Sequence, residues 1–249
     1  MMRVVALLSA CLVTLSAPAS GAELTGDYLY KVTSVRAAPG KLKDLLDHFS
    51  ALKSSGYYAA AGAPAPFIMR HSQGDQWDIL LIAPMESWSA YHKPRASASR
   101  AKAAQTFTAQ LAGDDALIAF SEDHFAFGPP VGDVSGAFAA NGFLHIEMFN
   151  AAPGKSLELY RQREMENAYL AAIGQKPNMI FRVDAGGDVD VFTIGFHESL
   201  EAFAAPAPAS DEEKEAAAIA AGFKDRADIS YYLRSLLSSH HDTLATKVE

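Results

Sequence analysis

A histidine and a carboxylate two residues apart, His145 and Glu147, are the first candidates for chemistry. They fall in Phe143-Leu144-His145-Ile146-Glu147-Met148-Phe149, which alternates like a strand. Residues two apart on a strand share a face, so this imidazole and carboxylate can bind a metal or move a proton together. In that reading His145 is a general base and Glu147 orients it. The plain alternative is a satisfied polar pair at a strand end.

Three further sets are candidates. Arg70 and Arg182 each end a strand, and Asp78 and Asp190 each lie early in the next one. Across a hairpin they can pair and set the register, or the arginines can receive a carboxylate or phosphate. His124 and His241 close the matched segments Ser121-Glu122-Asp123-His124 and Ser238-Ser239-His240-His241, at an offset of 117 residues. Two such histidines can ligate a metal or haem, or stand as ordinary surface residues. Tyr30 and Lys31 are ligand-binding candidates, Tyr30 as a pocket aromatic and Lys31, with Thr33, as the first-half counterpart of His145 and Glu147.

The elements that must position these residues come twice. Ala37-Ala38-Pro39-Gly40-Lys41 recurs as Ala151-Ala152-Pro153-Gly154-Lys155, 114 residues on. The flanks match too: Tyr28–Val32 faces Gly142–Ile146, Ile68-Met69-Arg70 faces Ile180-Phe181-Arg182, and Glu86-Ser87 faces Glu198-Ser199. Such self-similarity marks a repeated structural unit. In each copy Pro-Gly suits a turn from strand to helix.

The first copy reads as a strand over 28–35, a helix over 40–54 with Leu42, Leu45, Leu46, Phe49 and Leu52 in one stripe, and hairpin strands over 67–70 and 77–83. Helix follows from Glu86 to Leu111, interrupted at Pro94, and a strand lies within 117–127. Residues 128–142 read as a linker. The second copy gives a strand over 143–150, a helix over 154–172, strands over 178–184 and 188–196, and helices to Ser238 with a Ser210/Glu213 capping box at one start. A short terminal strand follows. Each half is thus β-α-β-β-α-β, the ferredoxin-like order.

Helices cover one face of such a sheet. The other face is also apolar here, with Ile79, Leu81, Phe143 and Phe149, and the economical way to bury it is against the other half, sheet to sheet. His145 and Glu147 are then expected to point into the resulting barrel, with Leu144, Ile146 and Met148 against the helices.

The duplicated element order resembles the dimeric α+β-barrel superfamily, with two tandem copies fused in one chain, residues 23–127 and 143–249. The resemblance implies an α+β fold in which one chain makes an intramolecular pseudo-dimer. It implies a ligand between a sheet and its helices or inside the barrel. The superfamily includes monooxygenases, haem-degrading enzymes, muconolactone isomerases, chlorite dismutases and dye-decolourising peroxidases, so fold does not choose the activity.

Composition narrows the setting. Arg3, the apolar run Val4–Leu15 and the small residues ending at Ala22 read as a signal peptide over 1–22, so the chain is expected to be secreted or periplasmic. The apolar run is too short to span a bilayer. Cys11, the single cysteine, lies in Leu8-Ser9-Ala10-Cys11, which offers a lipoprotein alternative. Cleavage at Ala22 removes it, and with it disulfides, thiol nucleophiles and Cys-ligated metals. The chain carries 21 basic and 29 acidic residues, which disfavours a nucleic-acid partner. No dinucleotide fingerprint, phosphate loop, nucleophile elbow or zincin motif is present, and no cofactor is specified. Three functions stand open: a small-molecule-binding barrel, a cofactor-light monooxygenase or isomerase on His145 and Glu147, and a haem or metal protein.

Overall fold

Side-chain alternation builds eight strands, and their edges find one another. The structure is a computed structural model describing residues 21–112 and 114–248. Cys11 and nearly all of the expected leader lie outside the described residues.

The chain runs β1 (Tyr28–Ala37), α1 (Leu42–Ser54), α2 (Tyr57–Ala61), β2 (Phe67–Gln73) and β3 (Ile79–Glu86). The helices α3 (Trp88–Tyr91), α4 (Pro94–Thr106), α5 (Thr108–Leu111) and α6 (Asp114–Leu117) lead to β4 (Ile118–Gly128). Then come α7 (Val131–Ala140), β5 (Phe143–Ala151), α8 (Ser156–Ala172), β6 (Met179–Ala185) and β7 (Val191–His197). The chain ends with α9 (Leu200–Ala204), α10 (Asp211–Ala220), α11 (Asp228–Ser235) and β8 (Leu237–Lys247). The Ser210/Glu213 capping box is present at α10. The terminal strand β8 is 11 residues long, as long as β4.

The strands form a closed barrel in the order β1-β3-β2-β8-β5-β7-β6-β4, with β4 returning to β1, and every pair is antiparallel. Closure removes the sheet edges that two merely stacked sheets would leave. The seams are β2 with β8 and β4 with β6. Glycine permits both. At Gly74 (φ +122°) a Cβ would lie 2.0 Å from the Asp242 carbonyl oxygen, and at Gly186 (φ +86°) one would lie 2.2 Å from that of Asp123.

The interior is apolar. Tyr30, Val32, Leu80, Ile82, Leu144, Ile146, Met148, Phe181 and Phe192 form one cluster. On the outside, α1 covers Val35, Ile68 and Ile79 with Leu45 and Phe49, and α8 and α11 flank a set around Phe149, Leu159, Ile180 and Val191. Each large side chain so buried contributes about 2 kcal/mol.

This reverses the expected faces. Leu144, Ile146 and Met148 line the interior, while Ile79, Phe149, His145 and Glu147 lie outside, toward the helices. Both faces are apolar enough to be buried, so alternation separated the two sets correctly without saying which faced inward. The closed lumen takes the set free of charged groups, since a charge sealed there has no partner.

Within the expected linker, Val131–Ala140 is helical and plugs one barrel end: Val134 is buried in the interior cluster and Phe138 meets Phe67 at 5.2 Å between ring centroids. Tyr30 packs in the interior cluster beside this plug. It is fully buried, its hydroxyl donates to the Pro129 carbonyl at 2.7 Å, and burial holds its phenol well above the usual range. Tyr30→Phe is expected to lower stability by about 1–2 kcal/mol, because a buried carbonyl loses its partner; a denaturant melt with an unchanged midpoint would contradict this role.

Candidate functional site

Strand β5 places His145 and Glu147 on the outer barrel face, and the register of the neighbouring strands decides what they meet. Glu147 is opposite Asp242 on β8 and Thr193 on β7, and His145 is opposite Leu244 and Gly195. Thr193 Oγ1 donates to Glu147 Oε2 at 3.1 Å. His145 Nε2 lies 3.7 Å from Asp242 Oδ1, and His240 Nε2 lies 3.4 Å from Asp242 Oδ2. His145 thus meets Asp242 as well as Glu147, whose carboxylate lies within 4.8 Å of it.

Helix α8 closes the cluster from above. Its buried face carries Gln162, Arg163 and Asn167 beside Leu159, so polar groups are sealed where a helix normally presents an apolar stripe. Arg163 Nη1 is 3.6 Å from Glu147 Oε2, its Nη2 donates to Glu166, its Nε donates to Gln162 Oε1 at 2.8 Å, and its guanidinium sits 4.8 Å from the Phe149 ring centroid. Asn167 and Asn178 exchange two hydrogen bonds (2.7 and 2.8 Å) that fasten α8 to the entry of β6.

Between α8, α9 and the outer faces of β5 and β7 lies a cavity of about 360 Å³. His145, Glu147, Glu166 and His197 supply its polar wall, and Leu170, Phe203 and Pro206 its apolar one. Phe203 stacks obliquely on His145, with 5.0 Å between centroids.

The titrating groups are tuned together. Burial opposes charge on His145, but the nearby Asp242 carboxylate and the fields of Glu147 and Glu166 outweigh it and raise its pKa. Burial pushes the Glu147 carboxyl up, with Arg163 and His145 only partly offsetting this. The His145 imidazole beside it holds Asp242 below the usual range. Burial first, then the neighbouring His145 and Lys176, lower His197. A raised carboxyl and a raised imidazole on one wall suit proton transfer near neutral pH.

His145, Glu147 and Asp242 also offer ligand atoms all within 4.8 Å of one another, the one such three-ligand group among the described residues. Arg163, beside Glu147, already supplies positive charge there.

The other candidates lie elsewhere. Asp78 Oδ2 accepts from the Ala37 amide and Asp190 Oδ2 from the Ala151 amide, both at 2.8 Å, and Ser156 Oγ donates to Asp190 Oδ1 at 2.5 Å. The two aspartates thus anchor the repeated Ala-Ala-Pro-Gly-Lys turns. Arg70 and Arg182 are opposite Ile79 and Val191, and Arg182 rests 5.5 Å from the Phe127 ring centroid. Lys31 makes a surface ion pair with Asp123 at 2.9 Å, and Thr33 Oγ1 donates to the same carboxylate at 2.6 Å. Asp123 is opposite Thr33, and Asp242 is opposite Glu147. His124 lies 3.8 Å from Glu122 and His241 3.6 Å from Asp75; neither joins the three-ligand group.

Asp242, Arg163 and Glu166 were not singled out from sequence. The only signal for Arg163 and Glu166 was polarity on a helix face that ought to be apolar.

No family model matches the chain, and no curated protein matches it in sequence. Solved structures do match. An anthrone oxidase-like protein superposes with TM-score 0.58 at 12% identity, over 90% of this chain and 92% of that one. A candidate monooxygenase from Fusobacterium nucleatum subsp. nucleatum gives TM-score 0.52 at 7% identity, over 90% and 94%. Among the described residues no helix is long and apolar enough to cross a membrane. At such identities the likeness is one of fold: the chain has the mixed α+β architecture of the dimeric α+β-barrel proteins, closed here as an eight-stranded antiparallel barrel.

Proposed function

We propose that this chain binds a small organic molecule in the cavity between β5, β7 and α8, and that His145, oriented by Asp242, exchanges a proton with it. The observation that carries this reading is the shared wall: His145 and Glu147 face a cavity of about 360 Å³ lined partly by Leu170, Phe203 and Pro206. An apolar cleft with a few convergent, perturbed polar groups is the usual form of a small-molecule site. Glu147, buried against Arg163 and Thr193, is the second proton-holding group. The reaction class is proton abstraction or isomerisation, or oxygenation in which molecular oxygen, as co-substrate and oxidant, takes up the carbanion left by that abstraction, one oxygen atom staying on the product and the other leaving as water. The monooxygenase described for one structural neighbour is compatible with this class.

On this proposal the barrel descends from a duplicated ferredoxin-like half in which one copy kept an acid–base wall, while the other holds Lys31 and Asp123 as a surface pair. The leader read over 1–22 makes the proposed setting periplasmic or extracellular.

The test is a fragment screen by saturation-transfer NMR against the wild type and Ala202→Trp, which fills the cavity from α9. Fragments that bind the wild type and not Ala202→Trp define the site. Those carrying an acidic C–H are then followed for exchange in D2O. His145→Gln is expected to slow the exchange at least tenfold, within the usual worth of a positioned base, and to abolish a pH step lying above 6.5, since His145 is raised from that value. Binding insensitive to Ala202→Trp would remove the cavity from consideration. Exchange insensitive to His145→Gln would remove the base.

A further inference from the structure

The barrel interior is plugged by α7 at one end and open at the other. At the open end lies a second cavity, of about 380 Å³. It is distinct from the one over His145, which lies outside the barrel wall. Its apolar lining includes Trp77 and Met148, both members of the interior cluster, with Phe120 and Val189. Its polar lining is charged. Asp75, Glu122 and Asp188 carry carboxylates, against a single guanidinium on Arg36 whose Nη1 is engaged by the Gln76 carbonyl at 2.9 Å.

Two buried imidazole nitrogens at this end have no hydrogen-bond partner. His124 lines the cavity, is 4% exposed, and leaves Nε2 unpaired. His71 meets the Trp77 ring at 5.6 Å between centroids and also leaves Nε2 unpaired. A buried polar atom without a partner is uncommon; here Gly187 packs on the His124 nitrogen, where a Cβ would lie 1.9 Å from it. His124 Nε2 and Glu122 Oε2 stand 3.8 Å apart, too far for a direct bond. The Glu122 carboxylate is thus left to pair with an ammonium in the cavity.

We propose that the open end of the barrel is a second binding site, for a small primary amine carried on an apolar ring. The ring lies against Trp77 and Met148. The ammonium pairs with Glu122, and Asp188 adds to a field that rejects carboxylates. An aromatic face beside carboxylates is a favourable setting for an organic cation.

Calorimetry with 2-phenylethylamine and 3-phenylpropionate, probes of equal ring and opposite charge, tests this. The amine is expected to bind at least tenfold more tightly than the acid at low salt. Glu122→Gln and Asp188→Asn, both at solvent-accessible positions, are each expected to reduce that preference at least threefold. His145→Ala is expected to leave the amine's affinity unchanged, because His145 faces the other cavity. No saturable binding of the amine, equal binding of the acid, a preference untouched by both carboxylate substitutions, or loss of binding in His145→Ala would each overturn the proposal.

Discussion

Gly186→Ala and Gly74→Ala are each expected to destabilise the barrel by roughly 3 kcal/mol, the sum of a left-handed backbone penalty and overpacking at a seam. The added Cβ at Gly186 meets the Asp123 carbonyl oxygen at 2.2 Å, and the one at Gly74 meets that of Asp242 at 2.0 Å. In both cases the obstacle is backbone in a paired strand, so it cannot swing aside as a flexible side chain would. Gly40→Ala is the control: its φ is +76°, yet nothing lies within 4 Å of its Cβ. It is expected to cost only about 1 kcal/mol, the backbone penalty alone. Denaturant unfolding of the three variants separates the two effects. Equal losses in all three would show that the seams tolerate a methyl group, and that close approach of the hairpin turns does not govern closure.

Those seams explain which parts of the molecule were legible in sequence. Single elements were, because local signals announce them: the Pro-Gly turn, the Leu42–Leu52 stripe, the Ser210/Glu213 box. Separation of His145 and Glu147 from Leu144, Ile146 and Met148 was legible for the same reason, as strand alternation is local. Facing was not, because Phe149 and Ile146 are equally apolar and each face had a burial to offer. The partner of His145 was not, because β5 and β8 meet across some ninety residues of chain. Arg163 and Glu166 were hidden differently. They sit on a helix face that amphipathic reasoning gives to solvent, and only the buried Glu147 below makes sense of them. Polar residues on the covered side of α8 are a local inconsistency of the kind that functional sites carry.

Arg163→Met is expected to cost about 3 kcal/mol at pH 8, the usual scale for breaking a buried ion pair by removing one partner. Arg163 is 2% exposed and faces Glu147 and Glu166, whose side chains are 14% and 22% exposed. Methionine keeps much of the length over Phe149 but leaves both carboxylates without their cation. The loss must depend on pH, and its sign follows from Glu147. Burial already raises its folded pKa above the ordinary 4.5, and losing Arg163 raises it further. A raised carboxyl contributes stability that is fully present below the unfolded value and is lost as pH rises through the folded one. His145, raised above 6.5, works in the same direction in its own range. Asp242, lowered from 3.8, acts oppositely but only in stronger acid. Arg163→Met therefore lies closest to the wild type near pH 5 and furthest from it near pH 8. Adding Glu147→Gln removes one stranded charge and is expected to recover about half of the loss at pH 8, with little further change at pH 5. Urea unfolding at both pH values decides the matter. A deficit equal at pH 5 and pH 8, or a double variant no better than the single one, would mean that Arg163 stabilises α8 by packing on Phe149, and that the charge balance beneath the helix is not what holds His145 and Glu147 in place.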